Sequence, residues 1–178
     1  MNKTLPVDIK GFVANLPILT LPSGIKIAFF NLHGASDMTE HCGKELAKLC
    51  VSDVIITAES KGLQLAHVVS REKGMPFYAV ARKSKKLYMQ DGISVSYGTS
   101  ITTGKDQEFH LSKHDVDLIK GKKVAIVDDV ISTGESVKGL EKLVEKAGGI
   151  VHKKLFVLAE GDAKNRADVG FLASIPLL

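Results

Sequence analysis

Cysteine is scarce in this chain of 178 residues: Cys42 and Cys50 are the only two. They do not form a CxxC pair and no metal-ligand spacing surrounds them, so they read as ordinary thiols of an intracellular protein. No apolar stretch is long enough to span a bilayer. The opening MNKTLPVDIK lacks the apolar run of a secretory signal, which makes the cytoplasm the expected location. There is no internal repeat, no low-complexity tract and no linker, and the length fits one domain with a sizeable core. Neither GxxxxGK[ST] nor GxGxxG occurs, which excludes a Walker loop and the dinucleotide fingerprint. Charge is only mildly one-sided, at +4. Such an imbalance reads as a solvated surface, so neither nucleic acid nor a membrane is expected as a partner.

What the chain does have is a rhythm that starts after about residue 35. The first segment carries three of the five prolines (Pro6, Pro17, Pro22) and reads as irregular or short extended pieces. Residues 37–49 then read as a helix capped by Asp37, 53–59 as a strand, 62–74 as a helix ended by Gly74, and 76–81 as a strand. Residues 84–112 break the pattern. Their glycines and the alternation of Ile93, Val95 and Tyr97 predict a long excursion that is partly a β-hairpin, of the kind used as a lid. A strand at VAIVD, a helix from 136 with Leu140, Leu143, Val144 and Ala147 on one face, and a strand at 151–160 complete the series. Strand–helix alternation with nearly continuous apolar strands predicts an α/β fold, a parallel twisted sheet flanked by helices. In such sheets ligands bind beyond the carboxyl ends of the strands.

The stretch VAIVDDVISTGES at 124–136 carries the chemistry. An apolar strand runs into Asp128 and Asp129, two like charges whose place beside a core is costly unless something pairs with them. Ser132, Thr133, Gly134 and Ser136 follow where a helix begins. Free N–H groups at a helix N-terminus favour an anion, and hydroxyls add donors. Gly134 lets the backbone bend and approach closely. Ser132 or Thr133 as a simple helix cap explains the loop but not the acids in front of it. Carboxylates accept from hydroxyls, so a ligand with a diol beside a phosphate, such as ribose 5-phosphate, satisfies both features.

On these residues the sequence resembles the type I phosphoribosyltransferases, whose PRPP-binding motif has the same strand, paired acids and T-G loop. The resemblance is to the purine branch, adenine and xanthine phosphoribosyltransferases, and extends over most of 37–160. It implies the fold of that family, with a PRPP-binding core at 37–159, a small N-terminal hood at 1–36 and further base-side elements at 160–178. Asp128 and Asp129 are implied to hold the ribose hydroxyls, and Ile131, Ser132, Thr133, Gly134, Glu135 and Ser136 the 5-phosphate. Glu59, Ser60 and Lys61 sit where these branches have their diphosphate loop, and Arg82 and Lys83 match a basic pair placed against the same group. VSYGTS resembles the tyrosine–glycine segment of the catalytic loop, which makes Tyr97 a candidate catalytic residue. The Glu that the adenine branch has before that tyrosine is replaced by Ser96. Asn31, in FFNLH, matches an asparagine that faces the base in the xanthine branch, and Glu160 closes the last strand at the base side. The late lysine of that branch is absent, with Gly161 in its place.

The resemblance further implies the reaction of PRPP with a free purine base, adenine or a 6-oxopurine, to give a nucleoside 5′-monophosphate and diphosphate in purine salvage. Mg²⁺ is the implied cofactor, bound mainly through PRPP with no certain protein ligand, and a homodimer is the implied assembly. The alternative is a PRPP-sensing regulator of the purine-operon repressor type that does not turn over.

Overall fold

The computed structural model describes residues 3–99 and 106–178. The N-terminal region is more regular than expected. β1 (Thr4–Ile9), β2 (Phe12–Thr20) and β3 (Lys26–Ala28) form an antiparallel sheet in that order. β1 and β2 are joined by a two-residue turn in which Lys10 and Gly11 both have positive φ, the hairpin geometry that matches strand twist. Alternate residues are buried: Val7 and Ile9 from β1, Ala14 and Leu16 from β2. The prolines do not break these strands: Pro6 lies on the edge strand β1, and Pro17 lies just before Ile18–Thr20, the part of β2 that pairs with β3.

The core is the expected α/β arrangement. α1 (Ser36–Leu49), β4 (Val54–Ala58), α2 (Leu63–Glu72) and β5 (Ala79–Ala81) are followed by a hairpin of β6 (Ile93–Thr99) and β7 (Asp106–Leu111). Then come α3 (Lys113–Ile119), β8 (Lys123–Ile131), α4 (Glu135–Lys146), β9 (Ile150–Glu160) and β10 (Gly170–Ile175). The five-stranded sheet has the order β10-β9-β8-β4-β5 and every pairing in it is parallel. Two elements were not anticipated, α3 and β10. α3 starts at Ser112, whose hydroxyl accepts from the Asp115 N–H in a capping box. The sequence SKHD that makes this cap lies just past the glycine-rich excursion.

β8 is the middle strand and its side chains alternate between two cores. Ala125 and Val127 pack with Cys42 and Leu46 of α1 and Leu65 and Val69 of α2, in a cluster that also takes in Val7, Ile9 and Leu16 of the N-terminal sheet and Leu172 and Ile175 of β10. Val124 and Ile126 pack on the other face with Leu140, Leu143 and Val144 of α4 and with Phe109 of the hairpin. Each such side chain contributes roughly 1.5–3 kcal/mol by leaving water. The N-terminal sheet is thus fused to the α1/α2 face, and the hairpin to the α4 face. The tip of the expected excursion, 100–105, lies outside the described residues. Among the described residues no helix is long and apolar enough to cross a membrane.

Candidate active site

One expectation needs correction: the strand read as VAIVD does not end at Asp128 but runs on through Asp129 to Ile131. Asp128 pairs in register with Phe156, and Val130 with Leu158. The carboxylates are therefore held on a central strand rather than in the loop. Asp129 is only 6% exposed and Asp128 is half-buried. Each is partly served by local backbone, with Asp129 N–H donating to Asp128 Oδ1 at 2.9 Å and Val130 N–H donating to Asp129 Oδ1 at 2.9 Å. The other oxygen of Asp129, Oδ2, is buried with no hydrogen-bond partner among the described residues. Its nearest cation, Lys61 Nζ, stands 3.8 Å away. Burial, and then the charge of Asp129, push the Asp128 carboxyl up to about 7. Burial raises Asp129 as well, opposed chiefly by Lys61.

Two helix starts flank this pair. α4 begins at Gly134, which has φ +83 and gives the helix no side-chain cap. Ser132 and Thr133 are exposed and do not cap it either. α2 begins at Gly62, again with no side-chain cap. A Cβ at Gly62 would sit 2.0 Å from Thr57 Oγ1 and 2.9 Å from Asp128 Oδ1, so only glycine lets α2 start this close to the acids. Uncapped N-termini leave backbone N–H groups unsatisfied and carry partial positive charge. Residues of both starts, 59–61 and 131–137, line a single cavity of about 400 Å³ with Asp128 and Asp129 between them. An anion-accepting end, two carboxylates and a second anion-accepting end make a site for an elongated ligand with a charged group at each end and hydroxyls between.

Most of the residues singled out from the sequence come together here. Glu59, Ser60, Lys61, Lys83, Asp128, Asp129 and Ile131 to Ser136 all line the cavity. Ile131 does so through its backbone side only, since the residue is 1% exposed and packs in the α4 core. Glu59 faces cations rather than an anion: its carboxylate accepts from the Lys83 N–H at 2.7 Å and lies 2.8 Å from Arg82 Nε. It fixes the basic pair at the mouth, and Arg82 stands behind Lys83 outside the lining. The Glu135 carboxylate lies near Gly98 of the hairpin.

Three residues are placed elsewhere. Tyr97 stacks on Phe109, with ring centroids 4.2 Å apart, and presses against Gly139 of α4. Burial raises its phenol. Phe109, not Tyr97, lines the cavity. Asn31 lies in a separate groove of about 770 Å³ between β2 and the start of α1, and its side chain accepts from the His33 N–H at 3.1 Å. Glu160 ends β9 opposite Ile175 and does not reach the cavity. Sequence reasoning missed His33, which lines the cavity, and Phe29, whose ring lies 5.7 Å from Lys61 Nζ. Both sit in the short connection around β3, where no periodicity marks them.

The paired strand acids between two anion-accepting helix starts define an α/β protein that takes a phosphorylated sugar. The comparisons agree. A family model described as the phosphoribosyl transferase domain matches residues 35–168. An adenine phosphoribosyltransferase of Methanococcus maripaludis is 32% identical over 167 residues, covering 92% of this chain and 85% of the relative. A xanthine phosphoribosyltransferase of Exiguobacterium sp. is 35% identical over 140 residues, covering 74% of this chain and 71% of the relative. The chain belongs to the phosphoribosyltransferase family. The crystal structure of the adenine phosphoribosyltransferase of Thermoanaerobacter pseudethanolicus shares the fold, with a TM-score of 0.73 at 22% identity over 90% of this chain and 95% of that one.

Proposed function

We propose that the protein is a purine phosphoribosyltransferase of salvage, joining PRPP to a free purine, adenine or a 6-oxopurine such as xanthine. The observation that carries this reading is the buried Asp129 oxygen with no hydrogen-bond partner among the described residues, between two uncapped helix starts in one cavity. Family relatives named for adenine and for xanthine support the purine class and leave both bases in play.

In this reading the loop at 131–136 takes the 5-phosphate and the loop at 59–61, with Lys83 and Arg82 behind it, takes the diphosphate. Asp128 and Asp129 accept from the ribose hydroxyls. A base nitrogen attacks C1′ as the C1′–O bond to diphosphate breaks, giving the nucleoside 5′-monophosphate with inversion. The chain's contribution is positioning and charge: Lys61 and Lys83 face the leaving oxygens, and the two carboxylates favour the positive charge that develops on the sugar. Mg²⁺, the usual companion of PRPP in this family, supplies further neutralising charge to the diphosphate when bound. In this reading its ligands would come mainly from PRPP itself, with the Asp129 oxygen that lacks a hydrogen bond available beside them. Residues 1–36 and 160–178 are assigned to the base side, with Asn31 and Glu160 as recognition residues and Tyr97 as part of the closing loop. A homodimer belongs to the same reading. Leu87 and Tyr88, 91% and 69% exposed, give it an apolar face to cover.

The test is a screen of adenine, xanthine, hypoxanthine and orotate with PRPP and Mg²⁺, read as nucleotide by chromatography. Nucleotide from a purine is the expected result. PRPP binding without turnover of any purine would move the protein to the sensor class, although the N-terminal region here is a sheet and not a DNA-reading helix pair.

A further inference from the structure

Arg166 has no part in the cavity lining, yet it stands directly against the loop that begins α4. A Cβ at Gly134 would lie 2.5 Å from Arg166 Nη1. The guanidinium is fixed from the other side: Nε donates to Asp168 Oδ1 at 3.0 Å and Nη2 to Asp168 Oδ2 at 2.7 Å, a two-point fork. Asp168 is itself anchored by Lys154 at 2.5 Å, and Lys154 by Glu141 of α4 at 2.5 Å. The chain of charges therefore runs from Arg166, against the Gly134 N-cap of α4, to Glu141 in the second turn of the same helix.

This placement runs against the usual rule. A cation beside a helix N-terminus meets charge of its own sign. Nη1 finds no acceptor among the described residues that would reward it. Asp168 offsets the conflict in the free protein, and an anion seated on the loop resolves it. Arg166 is also only 30% exposed on its side chain, so its charge is felt across the loop more than that of a free surface arginine.

We propose that Arg166 is a positioning residue for the 5-phosphate: locked by Asp168, it backs Gly134 and holds the loop at 132–136 in its anion-accepting form, with its charge behind the bound phosphate. This rests on the reading of that loop as the 5-phosphate site. Neither the reactive centre nor the diphosphate loop touches Arg166, so its loss acts on one end of the ligand only.

The experiment is calorimetric titration of wild type, Arg166→Met and Arg166→Lys with ribose 5-phosphate, PRPP and diphosphate, each with Mg²⁺. In Arg166→Met the Kd for ribose 5-phosphate and PRPP rises about tenfold while that for diphosphate stays within about twofold. Arg166→Lys keeps a charge but not the fork, and loses about threefold on the same two ligands; it carries the test if the methionine variant does not fold. With PRPP at saturation, kcat stays within about twofold of wild type in both variants. Unchanged ribose 5-phosphate affinity in both variants overturns the proposal, as does an equal loss for diphosphate, which marks a general loosening. Wild type that binds neither ribose 5-phosphate nor PRPP overturns the functional reading itself, so the two failures are told apart.

Discussion

The carboxyl end of β8 and the N-terminal sheet stand on opposite sides of the same molecule's task, and they are built differently. At β8 the proposed phosphate and ribose contacts come from consecutive residues, 128–136, on one strand, one loop and one helix start. At the N-terminal side the candidate base contacts come from two places far apart in the chain: Phe29, Asn31 and His33 between β3 and α1, and Glu160 at the end of β9. A charged, symmetric group such as phosphate is satisfied by backbone N–H groups and a dipole, which any sequence with the right turn provides. A flat heteroaromatic base is read by side chains that must converge from distant segments. The first kind of site is local and the second is not.

Changes at the two ends should therefore behave unlike. The largest effect is expected from Asp128→Asn with Asp129→Asn. Turnover measured as kcat/KM falls by about a thousandfold or more, since two ribose acceptors and their charge are lost together. The melting temperature, read by circular dichroism, holds or rises because two buried charges are removed. Wild-type turnover in this variant would remove the ribose assignment.

Gly134→Ala comes next. The φ of +83 costs a side chain about 1–2 kcal/mol, and the new Cβ meets Arg166. The KM for PRPP is expected to rise about tenfold or more while the KM for base moves little. Equal movement of both constants would dissolve the distinction between the two ends.

A third test uses protons. Folding raises the Asp128 carboxyl above its ordinary range to about 7, through burial first and the charge of Asp129 second. Between the ordinary value and that one, the folded protein holds a proton that the unfolded chain has released. The stability of the ligand-free protein thus declines as pH rises toward 7, and the double Asn variant loses that slope. If the ribose hydroxyls are held by the ionised form, as proposed, PRPP binding releases protons and is expected to tighten as pH rises from about 5.5 to about 7.5. Calorimetry in buffers of different ionisation heat counts the protons. A flat affinity over that range would mean that the pair is already ionised before PRPP arrives.

The smallest effects belong to the base side. Asn31→Ala is expected to change the preference between adenine and xanthine by about threefold to tenfold and to leave the KM for PRPP within about twofold. Tyr97→Phe keeps the stack on Phe109 and is expected to alter kcat by less than about twofold. A large loss in Tyr97→Phe would give the phenol a chemical role that its packing does not require.

The same contrast explains what could be read from the sequence. The parallel core was legible because its strands and helices keep clean periods, and the phosphate end was legible because VAIVDDVISTGES is contiguous. The N-terminal sheet was hidden by Pro6 and Pro17, which look like breakers until one learns that β1 is an edge and that Pro17 lies just before the β2 residues that pair with β3. β10 was hidden because GFLASI is short and ends at another proline. That β8 carries on past Asp128 through Asp129 to Ile131 could not be foreseen, because paired acids inside a central strand contradict ordinary strand preferences. His33 and Arg166 were invisible for a different reason: each reaches its place through a connection with no period, and only the folded chain brings them to the site.

The two unfinished helix ends carry a consequence for the life of the protein. A ligand that supplies what Gly62 and Gly134 leave open acts as a missing residue of each helix. Substrate supply then becomes part of the protein's own architecture, since anything bound only by the folded form raises its stability by mass action. With PRPP seated as proposed, the starts of α2 and α4 should resist fraying and proteolysis better than in the ligand-free protein. The protein's persistence would in that way follow the metabolite it consumes, with no separate regulator.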